Sequence, residues 1–152
     1  MVSGNNLGVH APNFLHKKNL LFNMATLQSD LGYFAEAEQF LVDIQKTDEE
    51  TYGKESAEYF ESSKALIELY ILTDQAQKTL EESLNLRKST EKNSLENIVT
   101  YKWEGDAYSI QGSFKKAERS LNKGIEIYQK NGLEGTFEYA SILNSMAILY
   151  LE

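Results

Sequence analysis

Between Thr100 and Lys130 the apolar and small residues fall at helical spacing in two runs. Tyr101, Gly105 and Tyr108 lie three to four apart in the first, and Ala117, Leu121, Gly124 and Ile125 in the second, so each set shares one helical face. Gly112-Ser113 between them supplies a left-handed helix end and a hydroxyl to cap the next helix. The stretch predicts two amphipathic helices whose axes approach closely at Gly105 and Ala117, with Tyr108 and Leu121 filling the space beside them.

The same reading along the chain predicts seven helices. The first runs from Pro12, suited to an opening turn, to about Asp30, with Leu20, Leu21, Met24, Ala25 and Leu31 inward. The second runs from Ala35 to Asp48 and buries Ala37, Leu41 and Ile44; the third, from Glu55 or Ser56 to Leu72, carries Leu66, Ile67, Leu69 and Tyr70. Gln75–Ser89, Leu95–Gln111, Phe114–Gln129 and Phe137–Leu151 complete the set. Residues 1–11 read as a flexible lead-in and 47–54 as an acidic linker, and Asn131-Gly132 is a stop signal.

The skeleton recurs. Gly32-x-Phe34-x-x-Ala37-Glu38-x-x-Leu41 returns 80 residues later as Gly112-x-Phe114-x-x-Ala117-Glu118-x-x-Leu121. A middle copy is read on Ala76, Leu80 and Leu84, which leaves the turn after Tyr70 about three residues short and makes Asp74 a helix cap. Ala147 and Tyr150 stand 42 residues after Gly105 and Tyr108 as a half copy.

Tyr101-x-x-x-Gly105-x-x-Tyr108 followed by the Gly112 motif resembles the tetratricopeptide repeat. The steps exceed that repeat's usual period of about 34 residues and look like the longer repeats of kinesin light chains and their bacterial relatives. Gly53-Lys54-Glu55-Ser56-Ala57-Glu58-Tyr59 stands where those relatives carry Gly-x-x-His-Pro-Glu/Asp-Tyr, without the His-Pro. The resemblance covers the chain from about Asn19 onward. It implies an all-α, right-handed superhelical solenoid of antiparallel helix hairpins, about three and a half repeats over 12–50, 55–91, 94–131 and an incomplete 136–152.

Composition narrows the function. A net charge of −8, from 15 basic and 23 acidic residues, argues against a general binder of nucleic acid or anionic membrane. No stretch approaches the run of about 18 apolar residues that a membrane span needs, and the amino terminus lacks the basic start and apolar core of a signal peptide. Absence of cysteine removes disulfide and thiol chemistry. The expected location is the cytoplasm.

Catalysis is not expected. The histidines are His10 and His16, read as solvated side chains rather than metal ligands, and there is no phosphate-cradling loop or HExxH. Glu36, Glu38, Glu81 and Glu82 read as solvated helix faces. No cofactor or metal is assigned.

By the resemblance, the first helix of each pair lines a concave groove that holds a peptide or partner helix. The positions implied are Asn19, Phe22, Asn23 and Thr26; Glu61, Lys64, Glu68 and Ile71; Val99, Lys102, Asp106 and Ser109; and Ser141, Asn144, Ser145 and Ile148. Trp103 borders them and reads first as core, second as a ligand platform. Chaperone-binding members grip a terminal carboxylate with a lysine followed four residues later by asparagine. Here the partners are Glu68 after Lys64 and Asp106 after Lys102, which would repel a carboxylate and disfavour that clamp. Asn23 and Asn144 suit bonding to a peptide backbone.

The expectation is a non-enzymatic protein-interaction module for a neutral or basic peptide or helix. A rival is the sensory or regulatory part of a larger signalling or effector protein. Met146, Ile148, Leu149, Tyr150 and Leu151 read as an unfinished edge, which predicts further chain beyond Glu152, or pairing with a partner or a second copy.

Overall fold

The computed structural model describes residues 7–151, with side chains from Leu15 onward. Helical periodicity is realised in α1 (Leu7–Asp30), α2 (Phe34–Tyr52), α3 (Ala57–Leu72), α4 (Ala76–Ser89), α5 (Leu95–Ile110), α6 (Phe114–Lys130) and α7 (Phe137–Leu149). There is no strand among the described residues. Each helix packs on its neighbours in the chain, and α3 also touches α5, and α5 touches α7.

The turns within the first three pairs share one geometry. Gly32, Asp74 and Gly112 adopt left-handed φ of 82°, 55° and 71°. The next residues, Tyr33, Gln75 and Ser113, donate their N–H back to the carbonyls of Gln28, Tyr70 and Tyr108, each at 2.8 Å, the bond that closes a Schellman helix end. These stations lie 42 and then 38 residues apart. They correct the reading of the middle copy: Thr79, not Ala76, matches Ala37 and Ala117, and Ser83 and Leu86 fall on the inward stripe in place of Leu80 and Leu84. Thr79 and Ser83 are fully buried whereas Leu84 is exposed. Nothing is missing from the turn at Thr73-Asp74.

Asp74 and Ser113 are not the side-chain caps expected of them. Asp74 is the left-handed turn residue. Ser113 starts α6 at ψ 58° with no side-chain cap bond, because the turn commits that residue's backbone to the preceding helix. Capping occurs at the other ends. Ser56, Ser94 and Thr136 are extended, and their hydroxyls accept from Tyr59, Asn97 and Tyr139 N–H at 3.2 Å.

The irregular spacing comes from α4, which has 14 residues against 19 in α2 and 17 in α6, a difference of about one helical turn. Asn97 closes α4 early: its amide donates to the Arg87 carbonyl at 3.0 Å and to Thr90 Oγ1 at 3.1 Å. By contrast α2 runs on to Tyr52 through residues read as a linker. Asp48 is fully buried there, and Lys18 of α1 donates to both its oxygens at 2.9 and 2.8 Å. At the amino end α1 begins at Leu7, five residues before Pro12. A proline so near the helix start forfeits one backbone bond. Residues 1–6 of the expected lead-in, and the His10 side chain, lie outside the described residues.

Three apolar clusters form the core. Ala25, Ala37, Leu41 and Ile44 meet Leu66, Leu69 and Tyr70; Tyr59, Ile67, Leu86 and Trp103 join α3, α4 and α5; Ile98, Ala117, Leu121, Tyr128, Ile142, Met146 and Leu149 join α5, α6 and α7. Gly105 permits a close approach of α5 to α6: a Cβ there would lie 2.6 Å from Leu121 Cγ and Cδ2 and 3.4 Å from the Ala117 carbonyl. On α1 only Ala25 and Leu21 of the expected inward set face the core. Leu20, Met24 and Leu31, the last in the turn after α1, are exposed, because among the described residues α1 packs chiefly on α2.

Side-chain contacts between and within pairs also recur. Tyr70 donates to Glu38 at 3.2 Å and Tyr150 to Glu118 at 2.7 Å, both across 32 residues. Lys78 lies over the Tyr70 ring and Lys116 over the Tyr108 ring. Leu80 occupies the station of Glu38 and Glu118, so Tyr108 lacks the matching acceptor. No helix among the described residues is long and apolar enough to cross a membrane.

Candidate functional site

Phe22, Lys64, Lys102 and Asn144 occupy one station on α1, α3, α5 and α7; Thr26, Glu68 and Asp106 occupy another a turn later. Two hollows bring some of these side chains together. The first, about 220 Å3 between α1 and α3, is lined by Phe22, Thr26 and Glu68 with apolar walls from Leu41, Leu69 and Leu72. Thr26 Oγ1 donates to the Phe22 carbonyl at 3.0 Å, so its hydroxyl is turned onto its own helix.

The second hollow, about 160 Å3, opens between α3 and α5. Lys64 and an edge of Trp103 line it with Phe60, Glu61, Glu96 and Glu138. Trp103 is only 4% exposed and belongs to the core cluster with Ile67 and Leu86. Its ring meets Phe60 at a centroid distance of 6.2 Å. Core packing is thus its main role, with one edge at the hollow.

Lys102 and Asp106 are bonded to each other at 2.5 Å, and their side chains are 19% and 17% exposed. That pair ties up the lysine a carboxylate clamp would need. Lys64 has no carboxylate within 4 Å among the described residues. Asn23 and Asn144 are exposed and Ser109 half-buried, and none of the three borders either hollow.

Glu96 and Glu138 were not among the residues picked out from the sequence. Each stands two residues after a capping hydroxyl, Ser94 or Thr136, where the helix dipole favours an acid. That spacing recurs at 42 residues and is the signal that could have found them. Glu96 and Glu138 both reach the hollow, whereas Glu58, equally placed after Ser56, does not line it.

Elsewhere, three glutamates expected to be solvated have partners, Glu81 accepting from Gln77 at 2.8 Å on the exposed face. Glu38 accepts from Tyr70 and Lys78. Glu82 accepts from Gln45 at 3.0 Å, and burial raises its carboxyl above the usual range while that hydrogen bond opposes the shift. Burial likewise raises the Tyr70 and Tyr128 phenols, with the Glu38 charge adding at Tyr70. His16 is exposed, and no cluster of metal-ligating side chains occurs among the described residues. No family model matches this chain, and no curated protein matches it.

Proposed function

We propose that the chain is a non-enzymatic, cytoplasmic protein-interaction module of the tetratricopeptide type. Its helix pairs stack as a right-handed solenoid, and the face of α1, α3, α5 and α7 receives an extended peptide or a partner helix. The 42- and 38-residue register of turns, caps and Tyr–Glu bonds supports the repeat architecture. The guest is a segment with a lysine or arginine at its centre.

One observation carries the choice of guest. Glu61, Glu96 and Glu138 converge on the hollow beside Phe60 and the Trp103 edge, against the single cation Lys64. Carboxylates beside aromatic rings suit a cationic side chain, which gains both ion pairing and contact with the ring. Titration calorimetry with a short lysine- and arginine-rich peptide tests this. Binding should weaken with salt and fall about tenfold when Glu61→Gln and Glu96→Gln are combined. Unchanged affinity in that variant would overturn the assignment.

A further inference from the structure

A second cleft has the opposite character. It measures about 480 Å3 and lies between the α4–α5 connection and the carboxyl-terminal half of α6. Lys92, Lys123 and Lys130 line it, with Asn93, Tyr101 and Ile127, and among the described residues no carboxylate does. None of the three lysines has a carboxylate within 4 Å among the described residues. In a chain of net charge −8, three unneutralised cations around one cleft are a local inversion of sign.

The first helix pair provides an internal control. Asp43 and Thr47 stand there at the stations of Lys123 and Ile127, and Leu21 at that of Tyr101. The corresponding hollow, about 220 Å3, contains Lys17, Lys18, Asp43 and Asp48. Its charges balance, and Lys18 and Asp48 bond directly. The third pair lacks both aspartates, so the same place in the repeat is left positive and open.

The wall is also fixed. Arg87 lies flat on the Tyr101 ring, 3.6 Å from its centroid, and is held by Thr100 at 2.8 Å and Glu104 at 2.6 Å. Tyr101, held in place by that contact, and Ile127 give the cleft an apolar floor of their remaining exposed surface beside the lysines.

We propose that this cleft binds an acidic peptide segment, with aspartate or glutamate side chains on Lys92, Lys123 and Lys130 and the backbone over Tyr101 and Ile127. The floor favours a peptide over bare phosphate, which has no apolar part to bury. The negative charge of the rest of the chain disfavours a long nucleic acid, which would run off the cleft onto a repelling surface. The site is independent of the basic-segment site on α3 and α5, so the protein holds two segments of opposite charge.

The test uses the whole chain and a capped peptide of alternating aspartate and glutamate, with inorganic phosphate in parallel. Calorimetry in low salt should show saturable binding of the peptide. The combined variant Lys123→Gln and Lys130→Gln should weaken it about tenfold, while binding of the basic peptide stays unchanged. Glu61→Gln with Glu96→Gln should give the reverse pattern. Three results would overturn the proposal: no saturable binding, equal affinity in the lysine variant, or phosphate binding as tightly as the peptide. Both lysines are exposed, and circular dichroism checks that the variant is folded.

Discussion

The pairs α3–α4 and α5–α6 follow the same turn geometry yet divide their bulk in opposite ways. At one station α3 carries Ile67 where α5 carries Gly105; at another α4 carries Ser83 where α6 carries Leu121. Ile67, Ser83 and Leu121 are each fully buried. The large side chain sits on the first helix of one pair and on the second helix of the other. Ser83 and Thr79 escape the cost of buried hydroxyls because each bonds its own helix, to the Thr79 carbonyl at 2.6 Å and the Gln75 carbonyl at 3.1 Å. The register is therefore a rule about combined volume, and polarity is free to vary where the backbone satisfies it.

The largest expected effect is at the station where the three pairs differ most, Asp48, Thr90 and Tyr128. Asp48→Ala leaves Lys18 without its partner and should cost about 3 kcal/mol in urea unfolding. An unchanged midpoint would mean that the acid is dispensable to α2.

The volume rule is tested directly by Gly105→Ile, which should cost about 1–3 kcal/mol because the fully buried Leu121 would have to shift. Combining it with Leu121→Ser recreates the α3–α4 arrangement. The double variant should be more stable than the two single losses imply, with a coupling of about 1 kcal/mol or more. Strict additivity would break the comparison. A smaller effect is expected at Tyr128, whose buried hydroxyl has no hydrogen-bond partner among the described residues and whose ring meets Tyr139 edge-on at 5.8 Å. Tyr128→Phe should raise stability by up to about 1 kcal/mol, and a fall would show that the hydroxyl is satisfied.

Seven helices were legible because apolar spacing and the turns at Gly32 and Gly112 mark them. The middle register was not, because Ala76 resembles the expected alanine while Thr79 and Ser83 resemble surface residues. Their burial depends on self-bonding, which apolar periodicity does not reveal. Asp74 hid a left-handed turn usually signalled by glycine. The end of α2 looked like linker because it is acidic, and the partner that lets Asp48 be buried there, Lys18, lies 30 positions away. On the candidate face, the Lys102–Asp106 pair could be read from spacing within one helix. The convergence of Glu61, Glu96 and Glu138 could not, since it assembles three helices.

Trp103 is the sole tryptophan of the chain and is buried where α3, α4 and α5 meet. Its emission, excited at wavelengths that spare the nine tyrosines, is an optical gauge of that one seam. Fraying of α1 or of the carboxyl end of α7 would lower helical dichroism and leave the tryptophan signal dark to the event, so the two traces together separate loosening of the ends from rupture of the middle.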